Sequence, residues 1–348
     1  NGGATATDGL VTLSNIAVSA AGVVTADIVA NCLAVPGNFT LTVTDGGGLS
    51  TNTNLTVLVT ANTPPAVTFN GPQNVVFGQS GFSVPTATAT DNGSITGYVL
   101  QSVVPAMTVT PKVNPANGTV TINNAGPTGS HVITVRSTDN CGAVTDSSFT
   151  LVVNRAGTTT TIFSDTPDPS VVGQNYTVTI AVAPVAPGAG VPTGNITISD
   201  GTNTCVAILP ATSCQLASTS AGPKTLTAAY SGDTNFNGST AATAPHQVDP
   251  AQTATTVQTL INAPNYGSTL TATATITAVA PGSGTPQGTV NFNDGGNPIA
   301  GCQNVAVTAL GSAVCTTNQL PAGVGKVIQA VYSGNANFNG SNGSTTQT

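Results

Sequence analysis

The chain has 348 residues, of which 5 are Lys or Arg and 12 are acidic, and all of the acids are Asp; the formal net charge is −7. Five scattered cations cannot form the basic surface that binds phosphates, which excludes nucleic acid as a partner. Helix-favouring Glu, Lys and Arg are absent or scarce while β-branched Thr is abundant, so we predict an all-β protein. No apolar run reaches the roughly 18 residues of a membrane helix, and we expect no membrane insertion.

Two related strand pairs are predicted in the first half of the chain. Residues 38–60, "NFTLTVTDGGGLSTNTNLTVLVT", match residues 131–154, "HVITVRSTDNCGAVTDSSFTLVVN", as two strands around a Gly-rich loop. Alternation of apolar and polar residues predicts one inward face in each copy: Phe39, Leu41 and Val43 in the first, and Phe149, Leu151 and Val153 in the second.

A domain boundary is predicted at "ANTPPAV", where Pro64 and Pro65 cannot donate to a strand ladder. Domain 1 is therefore assigned to residues 1–62 and domain 2 to residues 63–154. Domain 1 contains counterparts of the last strands of domain 2, but nothing that matches its first 40 residues or so. A sandwich without its first strands has unpaired edges. We expect preceding residues, or a strand from another chain, to complete domain 1.

The second half of the chain is a tandem repeat. The stretch "AAYSGDTNFNGSTAATAP" around Tyr230 recurs as "AVYSGNANFNGSNGSTTQT" around Tyr332, and "GQNYTVTIAVAPVAPGAGVPTGNITISDG" recurs as "GSTLTATATITAVAPGSGTPQGTVNFNDG". We assign domain 3 to residues 155–249 and domain 4 to residues 250–348. Apolar residues alternate with threonines, and Gly, Pro or Asp-Gly interrupts the pattern at short intervals, which predicts antiparallel β-sandwiches.

The motifs "YSGDTNFNGS" and "GVPTGNITISDG", with their second copies, resemble the bacterial Ig-like repeat domains of large secreted surface proteins over about residues 155–348. The segments "TPPAV", "TDNCGAVTD" and "FTLVV" in residues 1–154 resemble cadherin-like or HYR-like bacterial sandwiches. The resemblance implies tandem Ig-like sandwiches arranged as an elongated rod, with a spacer, stalk, filament or adhesive role. It implies no single ligand.

Catalytic chemistry is not expected. The two histidines, His131 and His246, fall in different domains, and no Glu is present for a mixed acid-base pair. His131 begins an apolar strand and His246 lies in "APHQVDP", so a surface or edge position is predicted for both. We predict no cofactor and no catalytic residue, and the accessory region of a giant secreted enzyme remains an alternative.

Calcium binding is weighed against turn formation at the aspartates. A Ca²⁺ site needs six to eight oxygen ligands, whereas each predicted loop offers one or two carboxylates: Asp91, Asp139, Asp146, Asp200 and Asp294. Asp233 becomes Asn335 in the second repeat, which favours turn formation because Asn closes the same turn without charge. No metal site is predicted, and a Ca²⁺-dependent cadherin-like adhesive module remains the second alternative. A melting temperature unaffected by EDTA would count against it.

Sugar binding is not predicted, because the chain has no Trp on which a sugar could stack. Tyr230 and Tyr332 end apolar strands, where Tyr packs and hydrogen-bonds within a sandwich. Lys224 and Lys326 occupy equivalent positions, and we expect both on a solvated face.

Six cysteines in charge-poor sandwiches indicate an oxidising compartment and disulfides. Cys205 and Cys214 lie within one repeat, with Cys302 and Cys315 at the matching place in the next, so each pair is expected to close a local hairpin. Cys32 and Cys141 have no partner within their own domains. They fall in loops that meet when domains 1 and 2 stack end to end, which predicts a bridge between these domains; pairing with cysteines outside the chain is the alternative.

These observations together predict a non-catalytic extracellular protein of a bacterial surface. The duplicated residues are strand ends and turn formers, so a whole domain is repeated, and repetition of a domain lengthens the protein. We expect a filament, fibre or adhesin stalk that associates with further copies of itself by strand addition or end-to-end packing, with other surface proteins or glycans as further candidate partners.

Overall fold

The computed structural model describes residues 5–261, 267–320 and 325–347. All regular secondary structure among these residues is β-strand, and the described chain contains no helix with the length and apolarity to cross a membrane. The chain separates into two compact units, Asn1–Asn154 and Arg155–Thr348, which are described in turn.

Domain 1 has two small sheets. Its strands are β1 (Ala6–Asp8), β2 (Val11–Val18), β3 (Val24–Ala30), β4 (Gly37–Thr44) and β5 (Ser50–Val57). The first three strands form one sheet in the order β1-β2-β3, and β4 pairs with β5 in the second. Buried apolar side chains come from β2 and β4, namely Val11, Leu13 and Phe39.

Domain 2 has nine strands: β6 (Ala66–Phe69), β7 (Gln73–Val76), β8 (Phe82–Val84), β9 (Thr86–Thr90), β10 (Ile95–Val104), β11 (Lys112–Val113), β12 (Val120–Ile122), β13 (Gly129–Asp139) and β14 (Val144–Asn154). They form sheets in the orders β10-β13-β14-β7, β11-β12-β8 and β6-β9, in which β7 runs parallel to β14. Alternate residues of β13 and β14 point into the core, as the period of 2 requires.

Domain 3 places nine strands in two sheets: β15 (Thr158–Thr166), β16 (Ser170–Val171), β17 (Asn175–Pro184), β18 (Asn195–Ser199), β19 (Thr204–Ile208), β20 (Ser213–Ala217), β21 (Gly222–Tyr230), β22 (Ser239–Thr240) and β23 (Ala244–Asp249). One sheet has the order β15-β17-β20. The other has the order β16-β23-β21-β18-β19, with β22 paired to β21.

Domain 4 repeats this arrangement with β24 (Thr253–Ile261), β25 (Leu270–Ala278), β26 (Thr289–Asp294), β27 (Asn297–Pro298), β28 (Val305–Ala306), β29 (Ser312–Thr317), β30 (Lys326–Tyr332) and β31 (Ser341–Gln347). Its sheets have the orders β24-β25-β29 and β27-β26-β30-β31, with β28 paired to β26. The end of the second motif copy, up to Gln347, lies within β31.

The repeated "YSG" motif forms a tight turn that needs glycine. Gly232 has φ 78°, and a Cβ there would lie 2.8 Å from both the Gly238 nitrogen and the Phe236 oxygen. Gly334 repeats the conformation with φ 73°. The turn buries the aromatic residue of "NFNGS", Phe236 in one copy and Phe338 in the other. The motif is therefore repeated because each Ig-like sandwich needs the same glycine turn.

Domains 3 and 4 share a packed junction within the second unit. Val172 and Val248 of domain 3 belong to the buried apolar cluster of domain 4. The Ser283 N–H donates to the Val172 carbonyl at 3.1 Å, and the Ala221 N–H donates to Asn337 Oδ1 at 2.9 Å. The two repeats are joined by buried apolar surface as well as by the peptide chain.

Candidate functional site

An apolar groove lies between the two sheets of domain 1. It has a volume of about 490 Å³ and is lined from β2, β3, β4 and β5. We call it the open groove, and its large apolar lining residues are Leu13, Ile16, Val24, Ile28, Leu41 and Leu55. Ile28 is 56% exposed and Leu55 is 41% exposed. Apolar side chains that face each other across two sheets are normally covered, so this groove departs from ordinary sandwich packing.

The hairpin formed by β4 and β5 repeats the hairpin formed by β13 and β14. Asp45 Oδ1 accepts hydrogen bonds from the Gly47 and Leu49 N–H groups at 2.8 and 3.0 Å. Asp139 Oδ1 in the second hairpin accepts from the Cys141 and Ala143 N–H groups, both at 2.8 Å. The two loops thus have the same hydrogen-bonded geometry. The hairpin of domain 2 can therefore be compared directly with that of domain 1.

The inward face of this hairpin is buried in domain 2 but only partly buried in domain 1, where Phe39 is covered and Leu55 is not. Phe149 is 5% exposed and its ring lies 5.0 Å from that of Phe69 on β6. The Ser147 hydroxyl on β14 donates to the carbonyl of Val67, which also lies on β6, at 2.6 Å. Leu55 stands at the position of Phe149 but has no such cover. Val43, predicted to point inward, is 45% exposed for the same reason.

The two sheet edges of this hairpin also differ between the domains. In domain 2, β13 pairs with β10 and β14 pairs with β7. In the described part of domain 1, β4 and β5 pair only with each other. Their outer edges therefore present backbone N–H and C=O groups that a further strand can use.

The other sheet of domain 1, β1-β2-β3, contains a strand pairing that comparison of the two domain sequences did not predict. The segment "DGLVTLSN" on β2 corresponds to "NGTVTINN" on β12, and Asn15 and Asn124 share a left-handed conformation, with φ 52° and 47°. In domain 2 the neighbour of β12 is β8, whereas in domain 1 the neighbour of β2 is β3. Among the described residues, the sheet formed by β4 and β5 has both outer edges unpaired, and the other sheet ends at β1 and β3.

The described cysteines form three disulfides. Cys32 and Cys141 join domains 1 and 2 with a Cα–Cα distance of 5.4 Å. The Asn62 amide adds a hydrogen bond to Asp139 Oδ2 at 2.8 Å beside this bridge.

Cys205 pairs with Cys214, and Cys302 with Cys315. The expectation that each pair closes a hairpin is wrong. Cys205 lies on β19 and Cys214 on β20, and these strands belong to different sheets. Cys315 lies on β29, whereas the Cys302 carbonyl accepts a hydrogen bond from Phe292 on β26, in the opposite sheet. Each of these bridges ties the two sheets of its sandwich together.

Comparison with protein families finds two matches to the bacterial Ig-like domain (group 3), at residues 163–249 and 255–348. Together they span more than half of the chain. The chain belongs to this family.

Among solved structures, this chain is similar to a tetra-tandem repeat from the extending region of a large adhesion protein. It has 18% identity and a TM-score of 0.41, over 98% of this chain and 92% of that one. A 1.5-MDa bacterial ice-binding adhesin has 16% identity and a TM-score of 0.25, over 82% and 98%. Titin domains A168–A170 have 12% identity and a TM-score of 0.29, over 81% and 98%. No curated protein shows significant similarity to the chain.

Two tyrosines and one lysine of the two bacterial Ig-like domains take internal positions. The Tyr230 hydroxyl donates to the Thr193 carbonyl and the Tyr332 hydroxyl to the Gln287 carbonyl, each at 2.6 Å, as expected for tyrosines that pack within a sandwich. Lys326, however, is not on a solvated face: its ammonium lies 2.7 Å from Asp294 Oδ2, and the two side chains are 21% and 13% exposed.

The predicted surface position of the histidines is wrong for both. His131 is fully buried, and its ring nitrogens contact the Pro105 and Pro127 carbonyls at 2.8 and 2.9 Å. His246 is 2% exposed because it lies within β23 of the Ig-like sandwich rather than in a linker. A polar strand residue becomes a core residue when another element covers that face.

Sequence reasoning also missed the partners of His246. Its Nδ1 lies 2.5 Å from Asp165 Oδ2, and its Nε2 lies 2.8 Å from Ser170 Oγ. This Asp–His–Ser chain has the connectivity of a hydrolase triad, but Ser170 is fully buried and cannot meet a substrate. The one signal in the sequence was the clustering of two Asp and two Pro residues in "SDTPDPS".

The aspartates discussed for calcium serve turns and pairs in the described structure. Asp200 Oδ1 accepts from the Thr202 and Asn203 N–H groups at 2.9 and 2.6 Å. Asp233 Oδ1 accepts from Asn235 and Phe236, and Asn335 Oδ1 accepts from the matching residues of the second Ig-like domain. The Asp-to-Asn change between the repeats keeps the turn, as predicted.

Proposed function

We propose that this chain is a non-catalytic structural segment of a bacterial surface protein, of the filament, fibre or adhesin-stalk type. Tandem bacterial Ig-like domains support a length-building role. The three disulfides support an extracellular location, because such bonds persist in oxidising compartments.

The junctions between neighbouring domains support a load-bearing use. Domains 1 and 2 are covalently cross-linked through Cys32, and domains 3 and 4 share a buried apolar cluster through Val172 and Val248. Freely jointed modules would need neither feature. A tensile or spacer element gains from both, because they resist separation of the domains.

The proposal that the chain assembles with copies of itself rests on the open groove. Domain 2 provides the reference, because its matching hairpin is covered by β6 and flanked by β7 and β10. A strand from another copy, with apolar residues at alternate positions, would pair with the free edge of β4 or β5 and place side chains in the groove. Main-chain hydrogen bonds and apolar burial then act together, as in β-strand addition.

The experiment compares the concentration dependence of assembly for three full-length chains by sedimentation velocity and negative-stain electron microscopy. Leu41→Lys places a charge in the open groove. Thr42→Lys adds the same charge to the adjacent, exposed residue of β4, whose side chain points to the opposite face. We expect the parent chain and Thr42→Lys to form assemblies at rising concentration, and Leu41→Lys to remain monomeric. A parent chain that stays monomeric throughout, or equal assembly of Leu41→Lys, would contradict self-assembly at this groove.

A further inference from the structure

A cluster of two carboxylates and one imidazole lies at one end of domain 3, and we propose that it binds a divalent transition-metal ion of the Zn²⁺ class. The ligands are Asp165, Asp168 and His246. The inference is independent of assembly through the open groove, which lies in the other unit of the chain.

The backbone brings the three ligands together from distant parts of the sequence. Asp165 is near the end of β15, Asp168 stands between two prolines in the connection to β16, and His246 is in the middle of β23. One ligand atom from each lies within 4.8 Å of the others. His246 Nδ1 is 2.5 Å from Asp165 Oδ2 and 3.5 Å from Asp168 Oδ1. Two Zn²⁺ bonds of about 2.0–2.2 Å need a wider separation of Nδ1 from Oδ2 than this, so binding requires the Asp165 carboxylate to rotate outward.

The charge of the cluster favours a cation. Two carboxylates face one imidazole nitrogen, and among the described residues neither carboxylate has a Lys or Arg within ion-pair distance. A proton on Nδ1 supplies one positive charge at most. A divalent ion placed between the three groups neutralises both carboxylates and takes the place of that proton, as metal binding to His generally does.

The surroundings of His246 fix its ring in the orientation that a ligand needs. Ser170 Oγ lies 2.8 Å from Nε2 and can accept a hydrogen bond from Nε2–H in the tautomer that leaves the Nδ1 lone pair for the metal. The ring of Tyr176 stacks on the imidazole at 3.9 Å with an interplanar angle of 18°. The Gln247 N–H donates to Asp168 Oδ1 at 2.9 Å and holds that carboxylate beside the ring.

The site is closed on one side and open on the other. The His246 side chain is fully buried, the Asp165 side chain is 14% exposed and the Asp168 side chain is 40% exposed. A metal ion reaches the cluster past Asp168, and water from the same side completes its coordination. Imidazole combined with carboxylate suits Zn²⁺ or a neighbouring transition metal better than Ca²⁺, which takes six to eight oxygens.

Domain 4 shows that the fold does not require this cluster. In domain 3, His246 is paired with Lys224 and Asp165 with Val178. At the matching positions of domain 4, Gln347 is paired with Lys326 and Thr259 with Ala272. The second repeat therefore forms the same sandwich with Gln and Thr at two of the three ligand positions. The ligand set is an addition to domain 3.

The test is titration of the EDTA-stripped full-length chain with ZnCl₂ by isothermal calorimetry, and with CoCl₂ by visible absorption. We expect one Zn²⁺ per chain, a Co²⁺ spectrum of low coordination number, and a rise in melting temperature with Zn²⁺. His246→Gln, which copies domain 4, should abolish saturable binding, and Asp168→Asn at the exposed ligand should weaken it by at least about 10-fold. Asp233→Asn removes a carboxylate elsewhere in the same domain and should bind like the parent.

Circular dichroism shows whether each variant is folded, and the exposed Asp168 variant keeps the test decisive if His246→Gln unfolds. Unchanged Zn²⁺ affinity in Asp168→Asn would overturn the proposal, as would a parent chain that takes up no Zn²⁺. Binding of CaCl₂ in preference to ZnCl₂ would overturn the assigned metal class.

Discussion

At the scale of single residues, aspartate in this chain mainly organises backbone turns and junctions. Asp139 is the clearest case, because one of its carboxylate oxygens closes the loop between β13 and β14 and the other accepts from Asn62 at the junction of domains 1 and 2. The Asn62 amide holds the pKa of Asp139 below its ordinary value; burial opposes this, and the backbone N–H groups of Ala143, Cys141 and Gly142 reinforce it.

The lowered pKa of Asp139 predicts an acid-sensitive junction. A carboxyl whose pKa is lower in the folded state contributes stability above its unfolded pKa, near 3.9, and loses it as the pH falls through the folded value. We expect Asp139→Asn to melt below the parent at pH 7, and the difference to shrink as the pH falls from the unfolded pKa through the lower folded value. Asp45→Asn, in the matching loop of domain 1, serves as the control for the turn itself. A melting-temperature difference that is constant from pH 7 to pH 2 would rule out this role of the charge.

At the scale of strands and loops, equivalent elements differ according to what packs on them. The loops before β17 and β25 both contain a glycine in the left-handed region, Gly173 with φ 77° and Gly267 with φ 81°. A Cβ at Gly173 would collide with Ser283 Oγ and lie 2.6 Å from the Ser283 carbonyl oxygen, whereas a Cβ at Gly267 would meet no described atom within 4 Å. Only the first glycine is required by a neighbouring domain.

Comparison of Gly173→Ala with Gly267→Ala separates backbone strain from collision at the domain junction. Both variants force a left-handed Ala, which costs about 1–2 kcal/mol. We expect Gly173→Ala to lose clearly more stability in chemical denaturation, because it must also displace Ser283 and its hydrogen bond to the Gly173 carbonyl. Equal losses for the two variants would show that the junction adjusts without cost.

At the scale of the whole molecule, the apolar core is unevenly distributed. The described core of domain 1 contains three buried apolar residues, whereas that of domain 2 contains twelve. Burial of apolar surface is the main source of folding free energy. Domain 1 therefore depends more than domain 2 on its disulfide to Cys141 and on whatever covers the open groove.

Hydrogen exchange should reveal this difference in the full-length chain. In dilute solution we expect the amides of β4 and β5 to exchange faster than those of β13 and β14, although the two hairpins have the same loop, because only the second is flanked and covered. Concentration into assemblies should protect β4 and β5 and leave β13 and β14 unchanged. Mass spectrometry of peptides from both hairpins measures this. Equal protection of the two hairpins in dilute solution would refute the uneven stability.

The sequence alone determined the features of this protein that depend on local pattern and repetition. Alternating Thr and apolar residues specify strands because neighbouring side chains on a strand point to opposite faces. The repeated "YSG" motif predicted a repeated turn, because only glycine accepts the conformation of Gly232 without a clash. Family membership and the all-β class follow from these patterns.

Only the tertiary structure decided which faces are covered and which distant residues meet. His246 is buried, and meets Asp165 and Ser170, because β23 pairs beside β16 while the end of β15 packs over it, about 80 residues away in sequence. Leu55 is exposed although its counterpart Phe149 is buried, because no described strand of domain 1 lies over Leu55 as β6 lies over Phe149. Burial depends on the element that packs opposite a residue, and strand alternation specifies a face without specifying what lies against it.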